Sequence, residues 1–298
     1  MAEAETESEQ EQQRVIAEFS NTQMRIFPSW YKYDMHQGDA KNLLILLCTM
    51  GVLSDYLEAN VQYEDEADDA DFDDFFNFNE DIKINPNTGR IKSLCLRRFI
   101  HDEGDHAPFN LPSIIELFQD LESIDLTECH LLPIELTNLP LLTEFRFGFC
   151  TRSLSEIIPE GLRLLSVKKV ALCQILYETT NDCFPSFLKL FSGSLEEIYI
   201  GNVRSKEKNK ILRVLQNDDL SFRHNLKIIR LILCDINEDD LERLLFDIRP
   251  LFPNLRELDL ETNYIKSFLS IKNRIKKLSQ TQMMLLPASS SSSSSSQS

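Results

Sequence analysis

Three stretches of the chain repeat one spacing of apolar residues. Leu121–Leu131 (LESIDLTECHL), Leu226–Ile236 (LKIIRLILCDI) and Leu255–Ile265 (LRELDLETNYI) place large apolar side chains at their first, fourth, sixth and eleventh positions. The ninth position holds Cys129, Cys234 or Asn263. Partial copies start at Ile91 (IKSLCL), Leu142 (LTEFRFGFC), Val167 (VKKVAL) and Leu195 (LEEIYI), so successive units lie 30, 21, 25, 28, 31 and 29 residues apart. A period of this size marks an architecture whose units cannot bury their apolar side alone and must stack on one another.

On these residues the chain resembles the leucine-rich repeat family over about 91–265, with an extension to 278. The long units are similar to ribonuclease-inhibitor-like repeats. The short one, LLPIELTNLPLL at 131–142, is similar to plant-type and adhesion-type units. The resemblance implies an α/β fold: a right-handed solenoid of about seven repeats, with a parallel β-sheet on the concave face and helices and irregular segments on the convex face. Positions 1, 4, 6 and 11 would then point inward. Asn263 can bond buried backbone with its amide, and Cys129, Cys150 and Cys234 are small, weakly polar substitutes there rather than metal ligands or reactive thiols.

The connections carry their own signals. Asp239 or Asp240 is placed to cap a helix bearing Leu241, Leu244, Leu245, Ile248 and Leu251, which Pro253-Asn254 ends. Ser113-Ile-Ile-Glu116 has the form of a capping box. The short unit has no room for a helix, so 131–141 is expected extended or 3₁₀. IKINPNTGRIKSLCL at 82–96 reads as strand, turn and first repeat strand. The expected organisation is an acidic, partly disordered segment over 1–38, a capping helix over 39–60 opened by Asp39, an acidic linker over 61–81, the solenoid with its end caps over 82–278, and a disordered serine-rich tail over 279–298. Phe72, Phe75, Phe76 and Phe78 anchor the linker. Phe268, Ile271, Ile275 and Leu278 form the apolar side of a basic terminal capping helix.

Charge excludes several function classes. The net charge of −17 opposes general binding to nucleic acid or an anionic membrane. Residues 1–81 hold 20 acidic and 4 basic side chains, whereas 82–298 hold 28 and 27. The acidic region is suited to select basic partners or to fold back on Lys92, Arg97 and Arg98. The start of the chain lacks the basic region of a signal peptide, and the longest apolar run, Leu43–Leu53, is too short to span a bilayer. Seven cysteines without ligand spacing read as reduced thiols, and a cytoplasmic protein is expected, with the nucleus as the other compartment. Asp69, Asp71, Asp73, Asn77 and Glu80 match calcium-loop spacing, but Asp74 replaces the turn glycine and Pro86 forbids an exit helix, so a solvated linker is expected. His101 and His106 fall in an acidic loop, also read as solvated.

No nucleophile, phosphate-loop or metalloprotease motif occurs, so neither an enzyme nor a cofactor is expected. Binding would instead use the strands' outward positions, the second, third, fifth, seventh and eighth of each unit. The candidate contact residues are Arg97, Arg98, Arg146, Phe149, Lys169, Tyr199, Arg230, Ile232, Leu233 and Asp259. Signs alternate along these positions, which suits a protein partner better than a uniform polyanion. The expected function is a monomeric, non-enzymatic protein-interaction module using the concave face. Two alternatives are an activator resembling the GTPase-activating members of the ribonuclease-inhibitor-like group, and a recognition fragment of a larger receptor or adaptor.

Overall fold

The computed structural model describes residues 35–55, 76, 78–97, 109–148, 157–173, 187–191, 193–203, 205–216, 220–261, 263 and 265. It is a mixed α/β structure built on one eight-stranded, mostly parallel sheet. The strands are β1 (Ile82–Ile84), β2 (Ile91–Leu96), β4 (Ser123–Thr127), β6 (Glu144–Gly148), β7 (Lys169–Cys173), β8 (Glu197–Gly201), β9 (Ile228–Ile232) and β10 (Glu257–Asp259), in that spatial order. Two short strands, β3 (Phe109–Asn110) and β5 (Cys129–Leu131), pair separately.

Chain order and spatial order coincide because each connection returns the chain beside the strand it has just left. β1 and β2 form the one antiparallel pair of the large sheet, joined by the Asn85–Arg90 turn with Gly89 at a φ of 68°. All later pairs are parallel and aligned unit on unit. Ser93 lies beside Ser123, then Glu144, Lys169, Glu197, Ile228 and Glu257, each the third residue of its unit.

This register stacks the apolar positions into continuous buried rows. Leu94, Ile124, Phe145, Val170, Ile198 and Ile229 make the fourth-position row, and Leu96, Leu126, Phe147, Leu172, Ile200 and Leu231 the sixth. Phe145, Phe147, Phe187 and Phe191 fill the middle of the core with ring centroids 5.2–6.4 Å apart. At the far edge Leu258, Leu260 and Ile265 are only partly buried. The eleventh position does not always point inward. Leu131 is 43% exposed, and its neighbour Leu132 is buried in its place.

The first helix, α1 (Gln37–Thr49), packs Leu43, Leu46 and Leu47 into the core. Its cap is His36, whose Nδ1 accepts from the Gly38 N–H, and not Asp39. Asp39 instead lies buried in the first turn. It accepts 2.7 Å from Arg90 Nη1 and 2.8 Å from the Ile91 N–H, tying the helix to the first parallel strand. Met50 and Gly51 break the helix, Gly51 at a φ of 84°. A helical turn, α2 (Phe78–Asp81), leads into β1, with Phe76 buried just before it. The other linker phenylalanines, the calcium-like aspartates, the histidine loop, Cys150, the basic terminal segment and the serine tail lie outside the described residues or have undescribed side chains.

Two connections on the far side of the sheet are α-helical, α3 (Ser205–Leu215) and α4 (Glu238–Arg243). The cap of α4 is Asn237, two residues before Asp239, with Asp240 completing a reciprocal capping box. Lys208 of α3 joins the two helices through Asp240, 2.6 Å away, and the Asp235 carbonyl. Ser113–Leu117 is a 3₁₀ turn entered from Pro112 without a side-chain cap, so the expected capping box does not form. Glu116 instead accepts from Asn138 Nδ2 in the next connection. Ile134–Asn138 is 3₁₀, as the short spacing requires. Among the described residues no helix is long and apolar enough to cross a membrane.

Ninth-position side chains stitch the turns where strands end. Asn263 Oδ1 accepts from the Cys234 and Ile236 N–H groups at 2.9 and 3.1 Å, while Nδ2 donates to the Leu231 and Leu260 carbonyls. Cys234 Sγ donates to the Ile200 and Ile232 carbonyls, and Cys129 Sγ to Leu131. Burial pushes the Cys234 thiol up to about 12, keeping it a neutral donor. Asn263→Ala should therefore destabilise the fold by about 1–3 kcal/mol, the range for orphaned buried polar groups. Asn263→Cys should cost less, since a thiol restores a donor but only a poor acceptor. Chemical denaturation with both variants checks this, and equal losses would contradict it.

Candidate functional site

The alternation that buries positions 4 and 6 turns positions 3 and 5 to the opposite face, and strand spacing of about 4.8 Å brings their side chains into cross-strand contact. Each charged strand is then met by its neighbour. Arg146 Nη1 lies 3.5 Å from Asp125 Oδ2, and Lys169 Nζ 2.6 Å from Glu144 Oε1. Lys227 pairs with Glu196 at 2.5 Å in the second-position row. Arg230 contacts three carboxylates: Glu197, Glu257 at 3.0 Å and Asp259 at 3.8 Å. At the other end Arg97 reaches the buried Asp81 at 3.1 Å.

Titration follows this packing. The hydrogen bond from Lys169 to Glu144 raises the lysine, and that from Lys227 holds the Glu196 carboxyl below its usual range. Burial raises Asp125, although Arg146 and Arg97 oppose the shift. Burial, with Asp125 and Asp81 nearby, pushes the Cys95 thiol up to about 12, so it is protonated and poorly nucleophilic at neutral pH.

The outward face forms an open depression of about 530 Å³ running from Lys83 on β1 to Arg230 on β9. Its floor is made of short side chains at third and fifth positions, Ser93, Cys95, Ser123 and Ala171. Its walls include Arg97, Arg146, Lys169 and Tyr199. The Tyr199 ring lies across Gly201, where an added Cβ would come within 2.7 Å of the ring and its hydroxyl. Glycine at that position thus lets the tyrosine lie along the strand.

Of the sequence-derived contact residues, Arg97, Arg146, Lys169, Tyr199 and Arg230 line this depression together. Asp259 stands on β10 against Arg230, Ile232 is half-buried at the end of β9, and Leu233 is 53% exposed just beyond it. Arg98 and Phe149 lie outside the described residues. The acidic linker's last residue, Asp81, and Lys83 of β1 join the face without having been singled out, because the linker reads as solvated until the hairpin places it. Ile228 was also missed, although its third-position place marks it as outward.

Glu128 departs from the outward reading of the eighth position, at which Asn202 and Leu233 are exposed. Its backbone is left-handed, with a φ of 59°, and its side chain is 8% exposed. Burial alone pushes its carboxyl up to about 7. No family model matches the chain, and no curated protein matches it.

A carboxyl raised in the folded state makes the folded protein bind the proton more tightly than the unfolded chain. Its contribution to stability is full below the ordinary glutamate range, falls as pH rises through the window up to about 7, and stays low above it. Glu128→Gln removes that loss. Between pH 4 and 8 the variant should gain on the wild type by about 1–3 kcal/mol in unfolding free energy. Urea titrations at the two pH values measure the difference, and a pH-independent offset would contradict the assignment.

Proposed function

We propose that the chain is a leucine-rich repeat solenoid acting as a non-enzymatic protein-interaction module, with the outward face of the sheet as its binding surface. The observation that carries this reading is the depression itself, one open surface to which successive strands each contribute outward side chains. A face built on paired strands is ordered before a partner arrives, so little conformational entropy is lost on binding. Most of its charges are already matched across strands, which selects a partner of complementary pattern over a simple polyanion. Cys95, the one thiol lining the depression, is held protonated, which favours recognition over nucleophilic chemistry at this face.

Photo-crosslinking the full-length protein in its native lysate tests the reading, with crosslinked residues mapped by mass spectrometry. A protein partner crosslinked to β4–β9 should be captured by the wild type and lost by an Arg146→Glu, Tyr199→Ala double variant of unchanged circular dichroism. Partners that the two proteins capture equally, crosslinked elsewhere, would refute it.

A further inference from the structure

The outward face is not uniform, and its last three strands differ from the rest in two ways. The first is apolar exposure. On β9 the outward residues Ile228 and Ile232 are half-buried, and Leu233, the next residue after the strand, is 53% exposed. The other large exposed apolar side chains among the described residues lie in turns or 3₁₀ segments, except Leu131, which ends β5.

Leu233 is also held in an unfavourable conformation. The chain leaves β4, β8 and β9 through a left-handed residue at the eighth position of the unit, with φ of 59° at Glu128, 53° at Asn202 and 53° at Leu233. Asparagine tolerates this region and glycine adopts it freely, whereas leucine is strained there. The turn fixes the conformation, so a leucine at this place costs stability while showing half its side chain to solvent.

The second difference is charge. Arg230 is shared by Glu197, Glu257 and Asp259; Lys169 also faces Glu197, whereas Glu257 and Asp259 on β10 share the one arginine. Glu257 is about half exposed, so it is open to a second cation.

We infer that the β8–β10 end of the outward face is the anchor of the binding surface. Its partner segment would insert aliphatic or aromatic side chains against Ile232 and Leu233 and set a lysine or arginine against Glu257 and Asp259. This rests on the outward-face reading above and adds the place and chemistry of the partner.

The probe is a fluorescent amphipathic peptide of leucine and lysine, compared with leucine–glutamate and serine–lysine peptides of equal length, on the full-length protein. Acidic residues 1–81 attract any basic peptide, so differences between variants carry the result. Leu233→Gly should weaken leucine–lysine binding at least tenfold while raising the melting temperature by about 2–4 °C, because glycine relieves the strained backbone. Glu257→Gln with Asp259→Asn should weaken it several-fold and flatten its salt dependence. The serine–lysine peptide should not respond to Leu233→Gly.

Unchanged affinity in Leu233→Gly, or equal binding of the leucine–glutamate peptide, would overturn the inference. So would binding that appears only after Lys272, Arg274, Lys276 and Lys277 are replaced by serine, which would make the chain's own basic segment the occupant. A partner crosslinked to β4–β7 and insensitive to Leu233→Gly would leave the outward-face function standing and remove this anchor alone.

Discussion

Burial of the first, fourth and sixth side chains of each unit depends on a neighbour lying in the same register. A strand such as β7 covers Val170 and Leu172 between Phe145 and Phe147 on one side and Ile198 and Ile200 on the other. Because side chains alternate along a strand, a slip of one residue would turn these pairs to water and bring Lys169 and Ala171 inward. The register is therefore held by the hydrophobic effect along its whole length, and by polar anchors at the first and last described units. Asp39 fastens α1 across the start of β2 through Arg90 and the Ile91 N–H, and Asn263 fastens the last turn to the one before it.

The same register organises the polar face. Charges three positions into each unit meet across neighbouring strands, as Glu144 and Lys169 do, without any long-range folding requirement. Such exposed pairs contribute about 0–1 kcal/mol each, so they do little for stability. Their effect is to hold long side chains upright along the walls of the depression while serine, cysteine and alanine leave its floor open. The buried rows keep the sheet rigid, and the cross-strand pairs give its outer surface a fixed pattern.

Most of this was legible in the chain because one short spacing repeats. The parallel strands of the large sheet, the 3₁₀ character of 134–138, the β1–β2 hairpin and the bonding of Asn263 follow from the apolar period and from turn residues, whereas the short parallel pair of β3 and β5 does not. Local signals with more than one solution were less legible. Ser113 and Glu116 have capping-box spacing, but Pro112 already supplies an extended entry into the short 3₁₀ turn. Asp239, Asp240 and Asn237 are all capable caps, and only the geometry of entry chooses Asn237. The eighth position was misread at Glu128, which is buried although Asn202 and Leu233 share its left-handed backbone and are exposed. Likewise, Leu131 and Leu132 compete for one inward place, and periodicity does not decide between adjacent leucines.

The asymmetry of the outward face has a simple origin in the order of the strands. In the middle of the sheet an acid on one strand finds a base on the next, as Asp125 finds Arg146 and Glu144 finds Lys169. β10 has β9 on one side and no further described strand on the other. Glu257 and Asp259 must therefore both turn to Arg230, which Glu197 already engages from β8. Leu258 and Leu260 lose cover on the same side for the same reason. Residual charge and residual apolar exposure thus arise together at the last described strand. A left-handed, exposed Leu233 follows β9, so the same end of the sheet carries backbone strain as well.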